Sequence, residues 1–454
     1  MHSTRILAGL LGLHLVVNAP TRAAEASPAR PAAIAAAPSP AAALTYTKDI
    51  APIFQRRCQE CHRPGEAAPM SLLAYSDVRK WKIAIRKEVA SGAMPPWHAS
   101  PEHGSWRNDR RLAEAEKASI LDWIAAGATE GDPADLPPPR AFLEGWRLGE
   151  PDLVLQMPSE YVVKAEGTVP YKYFTIPTNF TEDKWVRAVE VRPGSRAVVH
   201  HIICFVLPPE QRRLDERGIW RSHLAGIAPG EDPDVFPAGC GKRIPAGSRL
   251  VFQMHYTPNG VETVDRSRIG LHFSDDEGRT PLRPVHVRAA MNPWFKIPAG
   301  AAAHPVESSF TFRKDAQLLS LMPHMHLRGK SFRFEHVASD GSQRILLDVP
   351  RYDFDWQHNY IFATPLAVKA GDKIVCSALF DNSKDNPENP DPTTTVRWGD
   401  QTWQEMMIGF LGFLDEEGAA VDEASSADGD GDAPLPPASK DTRSPDAKQA
   451  GSAG

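Results

Sequence analysis

Between residues 151 and 415 the chain runs in short stretches where apolar and polar residues alternate, among them Trp185 to Val191, Val198 to Leu207, Leu250 to Tyr256 and Ile374 to Phe380, each closed by Pro, Gly or Asn. Alternation with a period of two sends every second side chain to the same face of a strand, so each stretch needs a second layer to cover its apolar side. Many short strands of this kind predict β-sandwiches, more than one, with a division near Arg283 to Ala290. At 454 residues the chain also exceeds what one core ordinarily supports.

The first part reads differently. Arg5, the apolar run Ile6 to Val17 and the small residues around Ala23-Ala24 have the layout of a secretory signal over residues 1–24, which places the mature protein in the periplasm or outside the cell. That run is too short to span a bilayer comfortably, so no transmembrane segment is expected in the mature chain. Residues 25–44 are nearly all Ala, Pro and Ser and read as a linker. From Tyr46 the period becomes helical, through Ile50, Ile53 and Phe54, then Leu72 to Glu88, then Leu112 to Ala126 with Gly127 as a stop. This predicts a small all-α unit over 45–132, a Pro-rich connector over 133–150, strand-rich domains over 151–285 and 286–415, and a disordered Asp-, Ala- and Ser-rich tail over 416–454. The net charge of -6, with 51 dispersed Lys and Arg, gives no footprint for nucleic acid.

Cys58-Gln59-Glu60-Cys61-His62 is a c-type haem attachment sequence, in which each thiol adds to a vinyl group and His62 takes the iron from below. There is no second cysteine pair for zinc and no βαβ pattern for a thioredoxin-like site. Met94, in the stiff Ala93-Met94-Pro95-Pro96-Trp97 turn, is the expected distal ligand, with Met70 and His98 as competitors. A His and Met pair raises the haem potential. The unit resembles a class I cytochrome c domain over roughly Tyr46 to Asp132. Cys204, Cys240 and Cys376 remain, and in an oxidising compartment one disulfide among them is expected, the pair being open.

Alternate strand residues share a face, so His324 and His326 can grip one metal, with Pro323 marking an edge or bulge; two histidines on a solvated face is the simpler alternative. His200 and His201 are neighbours and can reach one ion only at a bulge or strand end, with His255 as a third ligand. Three histidines also describe a hydrolytic zinc site. A thioether ligand, Met406, points instead to copper cycling through Cu(I), and Met407 would project from the opposite face. Cys204 is expected to be structural, and His272 and His358 to be ordinary polar residues. The Asn- and Asp-rich stretch Asp381 to Pro392 offers calcium ligands or, more simply, a loop of turn-formers.

Val199-His200-His201-Ile202, Gln253-Met254-His255-Tyr256, His324-Met325-His326-Leu327-Arg328-Gly329-Lys330 and Glu405-Met406 resemble, in order, the copper motifs of the type II, ascorbate-dependent monooxygenases. That family includes the peptidylglycine α-hydroxylating and dopamine β-monooxygenases, and the resemblance spans about Pro151 to Leu414. It implies two jelly-roll-like sandwich domains, each holding one copper across a solvent-filled cleft. His200, His201 and His255 would bind the electron-supplying copper, and His324, His326 and Met406 the oxygen-activating one. The expected fold is therefore a small all-α cytochrome c domain followed by two all-β jelly-roll-like sandwich domains.

The expected activity is hydroxylation of a C–H bond with O2, using two copper ions and one haem. In the peptide-amidating branch an Arg two residues before the His-x-His pair and a Tyr four residues after the Met hold a substrate carboxylate. Met322 and Phe410 stand at those positions here, so an apolar small molecule fits better than a peptide C-terminus. The fused haem would relay electrons singly from an external donor. The rival reading is a non-enzymatic copper-binding or electron-transfer protein.

Overall fold

Strand Ala316–His324 alternates buried and half-buried residues along most of its length, and strand Lys373–Phe380 does the same, so each presents one apolar face that only a facing layer can cover. The computed structural model describes residues 43–66, 68–142, 145–214, 219–228 and 231–415; the expected signal, nearly all of the first linker and the tail lie outside the described residues. Four larger sheets organise these residues.

One sheet runs in the order Leu153–Gln156, Arg268–Phe273, Lys184–Arg192, Cys240–Ile244 and Arg283–Pro284, and a second in the order Lys172–Pro177, Arg249–Tyr256, Val199–Leu207 and His223–Ile227. They share one core, with Val186, Val189, Ile269 and Leu271 meeting Ile202, Leu250, Phe252 and Met254. The third sheet runs His286–Met291, Ile408–Asp415, Ala316–His324 and Tyr360–Val368, and the fourth His304–Thr311, Lys373–Phe380, Gly329–Val337 and Gln343–Val349. Leu318, Leu321, Phe332, Phe334, Ile374 and Leu411 fill a second core between these two. Burying a side chain such as Phe334 stabilises the fold by about 1.5–3 kcal/mol.

The expected fold class is corrected by this architecture. The protein is mainly β, 37% strand against 14% helix, with four sheets in a propeller-like grouping and no separate all-α cytochrome domain. Four α-helices occur among the described residues, the last a single turn at Asp275–Gly278. Helices α1 (Ala51–Arg57), α2 (Tyr75–Ser91) and α3 (Glu114–Ala125) do pack around Ile50, Phe54, Ile120 and Trp123. The chain between α2 and α3, however, leaves them. Trp97, Ala99 and Trp106 are buried in the core of the last two sheets. Ser100 N donates to Asp348 O at 2.7 Å, Arg107 N to Ile361 O at 2.8 Å, and Ala363 N to Ser105 O at 2.8 Å. Helical periodicity reports local structure only, so it could not show that the intervening segment belongs to a β core.

The described residues from Leu44 onward form one compact unit. No disulfide joins Cys204, Cys240 and Cys376; all are buried free thiols, held in three different apolar clusters. Among the described residues, no helix is long and apolar enough to cross a membrane.

Candidate metal centres

Strands Val199–Leu207 and Arg249–Tyr256 pair antiparallel, with His201 opposite His255 and a register shift between Val199 and His201. His200 occupies that irregularity. An extra residue at a bulge turns a side chain that would otherwise face away, which brings the neighbouring histidines to one point. The ligand atoms of His200, His201 and His255 all lie within 4.8 Å of one another, and His200 Nδ1 is 3.2 Å from His201 Nδ1. Burial and the neighbouring imidazoles hold His201 well below its usual range, and burial pushes His255 down to about 3. Both rings are thereby kept in the neutral form that a metal takes. Tyr171 meets His201 and His255 edge-on, at 5.7 and 5.3 Å between centroids.

The second group lies where strand Ala316–His324 ends. His324 and His326 stand at right angles, their ring centroids 5.3 Å apart. His324 Nδ1 is 2.6 Å from Gln357 Oε1 and His326 Nδ1 is 3.3 Å from Gln404 O. With the Nδ1 protons given to these acceptors, the Nε2 atoms are left for a metal, the tautomer-fixing arrangement common behind metal-bound histidines. Burial brings His324 down to about 4.

Met406 is half-buried and precedes strand Ile408–Asp415, whose first residue pairs with His324. Met407 is fully buried in the core, where the Ser308 hydroxyl donates to its sulfur at 3.2 Å.

One carboxylate ties this group together. Glu405, fully buried, accepts from His326 N at 2.8 Å and from Arg328 N at 2.6 Å. The buried Arg328 guanidinium donates to Asn382 Oδ1 at 2.8 Å and to Trp403 O at 2.9 Å. Burial pushes the Glu405 carboxyl up to about 8, opposed by these amides and by Arg328. The Asp381 to Pro392 stretch spends its oxygens internally: Asp381 accepts from Ser383 and Lys330, and the Asn382 side chain bonds Arg328, Pro298 O and Thr394 O.

A single ring joins the two groups. Phe354 stacks on His200 at 5.2 Å and 9° and meets His326 edge-on at 5.9 Å and 87°. Where the resemblance implies a solvent-filled cleft, an aromatic side chain stands between the histidines. A cavity of about 290 Å³ opens beside the first group, lined by Tyr171, His200, His255, Leu327, Phe354 and Trp403.

Buried polar atoms test whether these residues suit a metal. His200 Nε2, His255 Nδ1 and His326 Nε2 are buried without a hydrogen-bond partner. His200 Nε2 lies 3.8 Å from Asp355 Oδ1, beyond hydrogen bonding. Each such atom costs about 1–3 kcal/mol if left unsatisfied, which a coordinated ion would offset. Imidazole donors at both groups, with Met406 two residues before the strand partner of His324, fit copper.

The haem motif sits at the end of α1. Cys58 and Cys61 are free, half-buried thiols, and burial pushes Cys58 up to about 12. His62 Nδ1 is 3.3 Å from Met70 O, which assigns the proton to Nδ1 and leaves Nε2 for an iron. These donors fit a covalently attached haem. Met94 lies in the turn after α2, its amide bonded to Glu88 O at 3.2 Å. His98 Nδ1 is 2.8 Å from Arg351 O, so that ring is engaged with the β part of the molecule.

Sequence reasoning passed over Phe354 and Gln357 and took His358 for an ordinary polar residue; all three lie in the loop before strand Tyr360–Val368. His358 is no ordinary surface histidine: it is buried, its Nε2 lacks a partner, and burial pushes it down to about 3. The signal that was present is the spacing of Tyr352, Phe354, Trp356 and His358, an aromatic residue at every second position of a turn. His272 is likewise buried.

No protein-family model and no curated protein matches the chain. Among solved structures it is similar to the VP2 subviral particle of infectious bursal disease virus, at 9% identity over 59% of this chain and 73% of that chain, with a TM-score of 0.18. A fucolectin from striped bass (Morone saxatilis) serum follows at 9% identity, 56% and 85% coverage and a TM-score of 0.13. Procruciferin from Brassica napus follows at 9% identity, 59% and 85% coverage and a TM-score of 0.12. Likenesses this slight carry no argument about fold or activity.

Proposed function

We propose that this chain is an exported haem- and copper-dependent monooxygenase that hydroxylates a C–H bond of an apolar small molecule with O2. The observation that carries the reading is the second histidine group: a half-buried and a buried ring with their Nε2 atoms left for a metal, Met406 two residues before the strand partner of His324, and an apolar wall beside them. When bound, copper would supply one-electron activation of O2 and haem a store of single electrons, two being consumed per hydroxylation.

The rest falls to the protein's own groups. Gln357 and the Gln404 carbonyl hold His324 and His326 in one tautomer. Phe410 lies 6.2 Å from His324, and Trp220, from the other pair of sheets, meets Phe410 edge-on at 4.4 Å. Met322 pairs with Phe410 across the strands. These side chains exclude water and favour an apolar substrate, while a carboxylate would lose its hydration there without gaining a partner. O2, this substrate and an external reductant for the haem are the partners the reading requires.

The second reading is an electron-transfer protein without oxygen chemistry, favoured by the Phe354 ring standing between the two groups. Copper per haem in the metal-loaded protein, together with ¹⁸O₂ incorporation into a panel of apolar compounds, separates the two. Two coppers per haem and labelled product, with Met406→Ala losing or weakening one copper and all product, support the monooxygenase. Two coppers without labelled product favour electron transfer, and one or none refutes the two-copper reading.

A further inference from the structure

We infer that the loop Tyr352–Tyr360 is the electron relay of the molecule, joining the haem-attachment segment to the second histidine group through His358 and Gln357, and that group to the first through Phe354. The inference rests on the proposed function for the presence of haem and copper. It adds a defined route and the residues that form it.

The loop touches both histidine groups and the segment that follows Met94. At its start the Tyr352 hydroxyl donates to Met325 O at 2.8 Å and accepts from Met325 N at 3.0 Å, fixing the loop to the residue between His324 and His326. Phe354 lies between His200 and His326. Gln357 is bonded to His324, and its amide donates back to Phe354 O at 3.1 Å. His358 faces the segment between α2 and α3: its ring is 5.8 Å from Trp97 and 6.2 Å from His98, and it bonds the Pro96 backbone, just beyond Met94. The Arg110–Asp232 ion pair, at 2.7 Å, lies close enough to act on both His358 and the Cys61 thiol. A buried ring with an unpartnered nitrogen, packed against Trp97 and Tyr360 and next in sequence to Gln357, is accounted for by this role.

With haem held by Cys58, Cys61 and His62 and copper by the histidine groups, each passage would move one electron from ferrous haem to one Cu(II), leaving ferric haem and Cu(I). No proton or co-reactant is needed. A second passage, after the haem is refilled by the external reductant, reduces the other copper. Tunnelling weakens steeply as packed atoms are removed from the gap, so the relay depends on filled rings in the loop.

The test uses the full chain loaded with haem and Cu(II), anaerobically, with flash reduction of the haem followed by its absorbance and by the Cu(II) paramagnetic signal. We expect His358→Leu, which removes packed ring atoms from the gap, to slow haem reoxidation. Phe354→Leu should leave the first electron's arrival unchanged and slow its equilibration to the first histidine cluster. His358→Phe and Phe354→Tyr, which keep a ring, should retain the native rates. Native rates in both Leu variants with both coppers still bound would overturn the relay while leaving the proposed function standing, as would ring-retaining variants as slow as the Leu ones. A wild-type chain that binds no copper or no haem would overturn both.

Discussion

Replacing Gln357 by Leu tests how the second histidine group is held. The side chain is buried and makes two bonds, one to His324 Nδ1 at 2.6 Å and one to Phe354 O at 3.1 Å. Leu fills nearly the same volume but accepts nothing, so the His324 Nδ1 proton is left buried and unpaired, at a cost of about 1–3 kcal/mol. The ring is then free to turn or to change tautomer, and loss of such a partner behind a metal-bound histidine typically weakens metal binding about 10–100-fold. Tenfold corresponds to about 1.4 kcal/mol, so the two figures agree. Cu(I) competition against a chromophoric chelator should show the loss at one of two sites. Gln357→Glu, which keeps an acceptor, should not show it. Unchanged affinity at both sites in Gln357→Leu, or equal loss at both, would refute this account of His324.

Met407→Ala should lower stability by about 2–5 kcal/mol, because the side chain is fully buried in the core, while leaving the copper count of the wild type; thermal unfolding beside metal analysis checks both halves. Acid should weaken the metal-free fold. His255 and His324 are pushed down to about 3 and about 4 from an ordinary 6.5, so the unfolded chain binds more protons across that window. Their contribution is complete above pH 6.5 and is lost as pH falls towards the folded values, at about 1.4 kcal/mol per pH unit for each ring. Urea unfolding of the metal-free chain at pH 7.5 and 5 measures it, with His255→Asn expected to show the shallower slope; equal slopes would count against it.

Legibility in the sequence followed range. The strand runs could be read because alternation is local, and the need for an irregularity at His200-His201 follows from two adjacent side chains having to face one point; the structure has a register shift there. The three helices were legible for the same reason. What failed was the inference from helices to a domain, since the bonds that draw the Trp97 to Asn108 segment into the last two sheets link residues some 250 positions apart. Phe354 was missed and His358 taken for an ordinary polar residue because loops carry no period, and what makes those rings notable is the company they keep in space. The expected disulfide gave no sequence cue either way, and its three thiols end in separate clusters.

Strand Ile408–Asp415 is the last of the described strands in the chain, yet it lies inside its sheet, between His286–Met291 and Ala316–His324. Glu405 and Met406 immediately precede it. During synthesis, His324 and His326 therefore wait beside an open seam until the last of these strands slots between partners made long before. Until it does, His326 N and Arg328 N have no carboxylate to meet. The second histidine group is thus closed by the last of the described strands, whereas the ligands of the first all precede Tyr256.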